Sequence, residues 1–155
     1  MASRSRCSPE TGELAAALEG AFSKYYGLRC RIGRLRRRKS VYSSSFTIEN
    51  LDVELAGGRR LALVFKDLSP SSMLPTARRV RPSFLYEPRR EIQVYREILE
   101  PERLGTPICY GAELDHEASR YWLFLERVSG PLLWQRGRIE SWRQAARCCA
   151  RRRRD

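Results

Sequence analysis

Residues 46 to 68 constrain the fold of this chain more than any other stretch. Phe46 to Leu55 sets Phe46, Ile48, Val53 and Leu55 in a strand-like run, Gly57-Gly58 follows, and Leu61 to Leu68 is strongly apolar with one lysine set into it. Paired glycines between two such runs signal a hairpin, because the tight turn needs positive φ. Just upstream, Leu28 to Leu35 alternates Leu28, Cys30 and Ile32 with Arg29 and Arg31, the pattern of a half-exposed strand with its basic side in solvent. With a small-residue turn from Lys39 to Ser45, these three segments predict an antiparallel meander.

Helices flank the strands. Leu14, Leu18, Phe22 and Tyr25 recur at three- and four-residue spacing, predicting a helix from Thr11 to Tyr26 that Thr11 caps and Gly27 stops. Residues 69 to 86 hold Ser69-Pro70-Ser71-Ser72, Pro75 and Pro82 and read as a long loop. Pro88 opens a helix to about Leu99 with a stripe of Ile92, Tyr95, Ile98 and Leu99, and Pro101 ends it. Strands follow at Ile108 to Leu114 and Tyr121 to Leu125, around the polar turn Asp115 to Arg120. After Gly130-Pro131, Ile139 to Ala150 has helix spacing again.

The expected class is α+β: a five-stranded antiparallel sheet with an N-terminal helix, a helix between strands 3 and 4, and a C-terminal helix. The expected organisation is a flexible N-terminus over 1–10, one domain over 11–138, a connecting helix over 139–150 and a basic tail over 151–155.

The chain of 155 residues has a formal net charge of +12. Residues 1 to 39 contribute ten positive and three negative charges, residues 40 to 142 fourteen of each, and residues 143 to 155 six against one. The basic excess therefore sits in the flanks, and the middle is neutral. No run approaches the ~18 apolar residues of a membrane span, and no apolar leader precedes a small-residue cleavage site, so a cytoplasmic protein without a membrane partner is expected. Five cysteines without a C-x-x-C pair and a single histidine, His116, give no metal site or disulfide framework. His116 lies in an Asp115-His116-Glu117 turn and is a poor base for nucleophilic catalysis.

Lys66 stands out. Only three of the thirty basic residues are lysines, yet the basic residue inside the most apolar strand is one of them. A compact ammonium meets phosphate oxygens as a point charge. A lysine snorkelling from the end of a strand explains the same residue without a ligand. Around it in sequence lie a serine turn (Ser43, Ser44, Ser45) with small side chains and backbone N–H groups, and Glu91 at the start of the next helix. Strand lysine and helix glutamate are a recurring pair in kinase-type phosphoryl transfer. Tyr121 to Gly130 adds an apolar strand running into a polar segment, which offers the C=O of Glu126 and the N–H of Val128 to a purine edge.

Tyr42 to Phe46, Leu61 to Asp67, Arg90 to Arg96, and Leu123 to Glu126 with Gly130 after it resemble, in this order, the N-terminal lobe of the aminoglycoside phosphotransferase-like branch of the kinase fold. The resemblance covers most of residues 12 to 150. It implies a protein-kinase-like nucleotide-binding lobe in which Ser43, Ser44 and Ser45 cover the phosphates of ATP. Lys66 would contact those phosphates, Glu91 orient the lysine, and Glu126 and Val128 hold the base. The final helix resembles the first connection to a C-terminal lobe.

One departure is large. Such catalysis needs an aspartate near the acceptor hydroxyl, and an asparagine and second aspartate on Mg²⁺. After Glu126 the chain has one aspartate, Asp155, and no asparagine. The reading is therefore the ATP-binding lobe of a small-molecule phosphotransferase, truncated before the catalytic lobe, with no catalytic residue or Mg²⁺ ligand of its own. It is not expected to be active alone, and a separately encoded C-terminal lobe would be its partner. Two alternatives stay open. One is a basic module whose Arg34 to Lys39 and Arg151 to Arg154 meet nucleic acid or an acidic partner, although no aromatic residues interleave these runs and nucleic acid is not the expected ligand. The other is an inert gene fragment with Trp134 and Trp142 exposed.

Overall fold

The computed structural model describes residues 8–43, 45–101, 106–130 and 138–151; Ser44, Trp134 and the tail beyond Arg151, which carry expectations above, lie outside them. The Gly57-Gly58 turn closes the central hairpin. The N–H of Gly58, at φ 82°, donates to the carbonyl of Leu55 at 2.8 Å, and that of Leu55 donates to Arg59 at 2.9 Å. It joins β2 (Ile48–Leu55) to β3 (Arg60–Asp67), and β1 (Ile32–Lys39) pairs with the far side of β2. With β4 (Cys109–Asp115) and β5 (Arg120–Glu126) they form one antiparallel sheet in the order β1-β2-β3-β5-β4.

Each face of the sheet has its own core. On one face lies α1 (Thr11–Tyr26), whose buried Leu14, Leu18 and Phe22 meet Leu51, Val53, Leu63, Phe65, Trp122 and Phe124. Arg120 ties the first turn of α1 to the sheet, bonding Glu13 and, at 2.5 Å, Glu113 while it stacks on Trp122. Helix and β4 approach closely at Gly111, where an added Cβ would lie 2.8 Å from that of Ala21. Gly111→Ala is accordingly expected to cost about 1–3 kcal/mol by overpacking, read as a lower midpoint of urea unfolding; an unchanged midpoint would contradict this packing.

On the other face α3 (Pro88–Gln93) sets Ile92 against Leu68, Cys109, Leu123 and Leu125. A π-helical turn, Val94–Leu99, continues α3. The extra residue in that turn shifts the expected stripe: Tyr95 stays half-buried, whereas Ile98 is exposed. α4 (Ile139–Arg151) is the last helix, one residue longer than expected. No described helix is long and apolar enough to cross a membrane.

Three local expectations are corrected. Thr11 does not cap α1: Glu10 holds the N-cap position without a side-chain bond, and the Thr11 hydroxyl instead accepts from Arg37 at 3.3 Å. β1 starts at Ile32 rather than Leu28, because the N–H groups of Cys30 and Ile32 are taken by side chains of α1, Ser23 Oγ at 3.0 Å and Glu19 Oε1 at 2.8 Å. Residues 69–86 are not an open loop: they hold two 3₁₀ turns (Pro70–Ser72 and Ser83–Leu85) and α2 (Pro75–Val80). Pro70 and Pro75 sit at helix starts, where a missing N–H costs nothing. Ahead of α1, Arg37 donates to the Pro9 carbonyl at 2.6 Å and also to Ser8 Oγ.

Candidate functional site

Alternation along β3 sends Leu63 and Phe65 to the α1 face and Val64 and Lys66 to the other. Only part of that second face lies under α3. Register then lines up three rows of side chains across it. Leu123, Lys66 and Ile48 form the row beside α3; Leu125, Val64, Asn50 and Arg38 form the middle row. Ala62, Asp52 and Arg36 form the outer row, which Arg127 joins from beyond β5 through its N–H bond to Ala62 at 3.0 Å.

In the first row the Lys66 Nζ lies 2.5 Å from Glu91 Oε1, with the lysine side chain 25% and the glutamate 38% exposed. Glu91 is in the first turn of α3, and Ile92 beside it anchors that helix to the sheet. Half-buried Tyr95 feels both charges. Burial pushes its hydroxyl pKa up, Lys66 pulls it down and Glu91 pushes it up, with a net rise. Beyond Lys66, burial likewise raises Asp67, although the Ser69 N–H donates to its carboxylate at 3.0 Å.

The serine turn is bound up internally. Ser43 Oγ accepts the Ile48 N–H at 3.3 Å and donates to the Ser40 carbonyl at 3.4 Å. The Ser45 carbonyl accepts the N–H of Leu74 at 3.0 Å, and Phe46 pairs with Met73, so the β1–β2 connection is fastened to the segment ahead of α2. Among the described residues neither Ser43 nor Ser45 is hydrogen-bonded to Lys66 or Glu91. Ser44 lies outside the description.

At the end of β5, the Glu126 N–H donates to the Ile108 carbonyl at 2.7 Å and its carboxylate accepts the Ile108 N–H at 3.2 Å. Both Glu126 and Arg127 thus have their N–H groups occupied. Val128, 64% exposed, has no backbone hydrogen-bond partner for its N–H among the described residues. Structure therefore brings Lys66 and Glu91 together, sets Glu126 and Val128 at the far end of the same sheet, and holds Ser43 and Ser45 in a separate loop.

Sequence reasoning missed the outer row. Arg127 Nη2 lies 2.6 Å from Asp52 Oδ1, and Arg38 Nη2 lies 2.7 Å from Asp52 Oδ2. Burial would raise the Asp52 pKa, but the bond from Arg127 and the charges of Arg127 and Arg38 outweigh it, and the carboxyl is held below its ordinary value. Alternation alone puts Asp52 on the Lys66 face; its partner Arg127 is distant in sequence and needed the register of three strands. No cluster of three or more His, Cys, Asp or Glu suited to a metal ion occurs among the described residues.

Comparisons with protein-family models, with curated proteins and with solved structures found no match to this chain.

Proposed function

We propose that this chain is the ATP-binding part of a small-molecule phosphotransferase of the kinase type. The observation that carries the reading is the Lys66–Glu91 pair at 2.5 Å, a lysine of the third strand held by a glutamate of the helix before the fourth. Side-chain chemistry nearby suits a nucleotide. Half-buried Val64 offers an apolar contact to a base, Lys66 offers charge to phosphates, and Val128 offers an N–H that has no backbone partner among the described residues. ATP would bring the phosphoryl group; Lys66 would meet its phosphates and Glu91 would keep the ammonium from swinging to solvent.

Turnover by this chain alone is not part of the proposal. Phosphoryl transfer rests on positioned metal ions and an acceptor-orienting aspartate, and among the described residues no acidic cluster suits a metal. Calorimetric titration with ATP tests the binding half: the wild type binds, and Lys66→Ala binds at least tenfold more weakly. Equal affinity of the two proteins overturns the assignment. Incubation with ATP, Mg²⁺ and a panel of aminoglycosides and small alcohols tests the further expectation that this part is not a competent enzyme by itself, and product formation by the purified chain would refute that expectation.

One observation favours a second reading as an anionic-partner module. Arg34, Arg36 and Arg38 are exposed at alternate positions of the edge strand β1, and among the described residues Arg34 and Arg36 have no salt-bridge partner. Affinity for a DNA or RNA oligonucleotide that falls steeply with added salt would favour it.

A further inference from the structure

We infer that Arg127, held across the sheet by Asp52, is the residue that positions the nucleobase, an inference that rests on the nucleotide reading above. Arg127 is fixed at both ends. Its backbone N–H donates to the Ala62 carbonyl at 3.0 Å, and its guanidinium reaches Asp52 Oδ1 at 2.6 Å on the next strand over. Between them stands Ala62, paired with Asp52 and small enough for the arginine to cross above it. Asp52 is itself steadied, because its other oxygen takes Arg38 at 2.7 Å.

The result is a guanidinium whose place is set by three strands, one row from the half-buried Val64. Such a plane is weakly hydrated and stacks on aromatic rings, which a lysine ammonium does not do as well. Lys66 lies two rows away, four residues along β3, or about 13 Å. That span accommodates a base and a ribose between guanidinium and ammonium. The Lys66 end therefore meets phosphates and the Arg127 end meets the base, so the two contributions to affinity are separable.

Two probes separate them: ATP, and inorganic tripolyphosphate, which has no base. Asp52→Asn and Arg127→Met are each expected to weaken ATP about five- to twentyfold and to leave tripolyphosphate unchanged. The double variant should be little worse than either single one, since both break one contact. Arg127→Lys, which keeps the charge and loses the plane, should fall between wild type and Arg127→Met. Lys66→Ala should weaken both probes.

If Asp52→Asn and Arg127→Met bind ATP like the wild type while Lys66→Ala does not, the inference is overturned and the nucleotide reading survives. Equal weakening of both probes by Asp52→Asn and Arg127→Met would reduce the bridge to a merely structural role and also overturns the inference. If the wild type binds neither probe, or Lys66→Ala binds both undiminished, the nucleotide reading falls and takes the inference with it.

Discussion

Glu49→Gln is expected to destabilise the fold by about 2–4 kcal/mol, more than any other polar substitution considered. Glu49 is on β2 but faces α1, and its side chain is 5% exposed. It takes two bonds from Arg37, at 2.8 and 2.9 Å, and a third from Ser8. Removing one partner of a buried ion pair leaves the other charge uncompensated and commonly costs about 3–5 kcal/mol. Arg37 keeps its bond to the Pro9 carbonyl and a little solvent, which lowers the figure. Urea unfolding followed by tryptophan fluorescence measures the loss; a change below about 1 kcal/mol would mean that the cluster is not closed as described.

The same pair has a pH signature. Burial would raise the Glu49 pKa, but the bonds from Arg37 and Ser8 and the Arg37 charge overcome it and hold it below its ordinary 4.5. A depressed carboxyl contributes stability that is fully present above its unfolded pKa and lost as pH falls through the folded one. Asp52 acts in the same sense. Asp67 acts in the opposite one: its pKa is raised, so its contribution is present below its ordinary 3.8 and fades as pH rises through the raised value. Wild-type stability should thus fall on acidification below about pH 4.5, and the fall should be shallower in Glu49→Gln. An equally steep fall in that variant would assign acid sensitivity to other carboxyls.

Elements whose signal is local were legible in the sequence. Alternation around Gly57-Gly58 placed β2 and β3 to within two residues, and Leu14, Leu18 and Phe22 placed the buried face of α1. Elements settled by distant side chains were not. β1 is displaced because Glu19 and Ser23 of α1 capture N–H groups that alternation assigns to a ladder. Among so many arginines nothing local marks Arg37 as the one that turns inward; that follows from its place opposite Leu51, diagonal to Glu49, with Pro9 and Thr11 beside it. The π-helical turn rotates Ile98 out of a stripe that a regular helix would bury. At the site the split is the same. Lys66 and Glu91 were visible as charges in apolar or helix-start positions, whereas the Asp52–Arg127 bridge depends on strand register.

Phe65→Ala is the second large change, expected to cost about 3–5 kcal/mol and to lower Tm by roughly 6–20 °C. The ring is 1% exposed, stacked on Phe124 at 5.6 Å and edge-on to Trp122 at 5.7 Å, in the core under α1. Phe65→Leu should recover a good part of the loss by refilling the space. Phe65 lies between Val64 and Lys66 in sequence but points to the opposite face, so this core and the candidate site share a strand and not a surface. Its packing against Phe124 holds the register that sets Lys66 opposite Leu123. Well below its Tm, the folded Phe65→Ala protein should therefore bind ATP within about threefold of wild type, since a threefold change is only about 0.65 kcal/mol. A variant that stays folded but loses ATP as Lys66→Ala does would show that the α1 core holds Lys66 in position as well as the fold together.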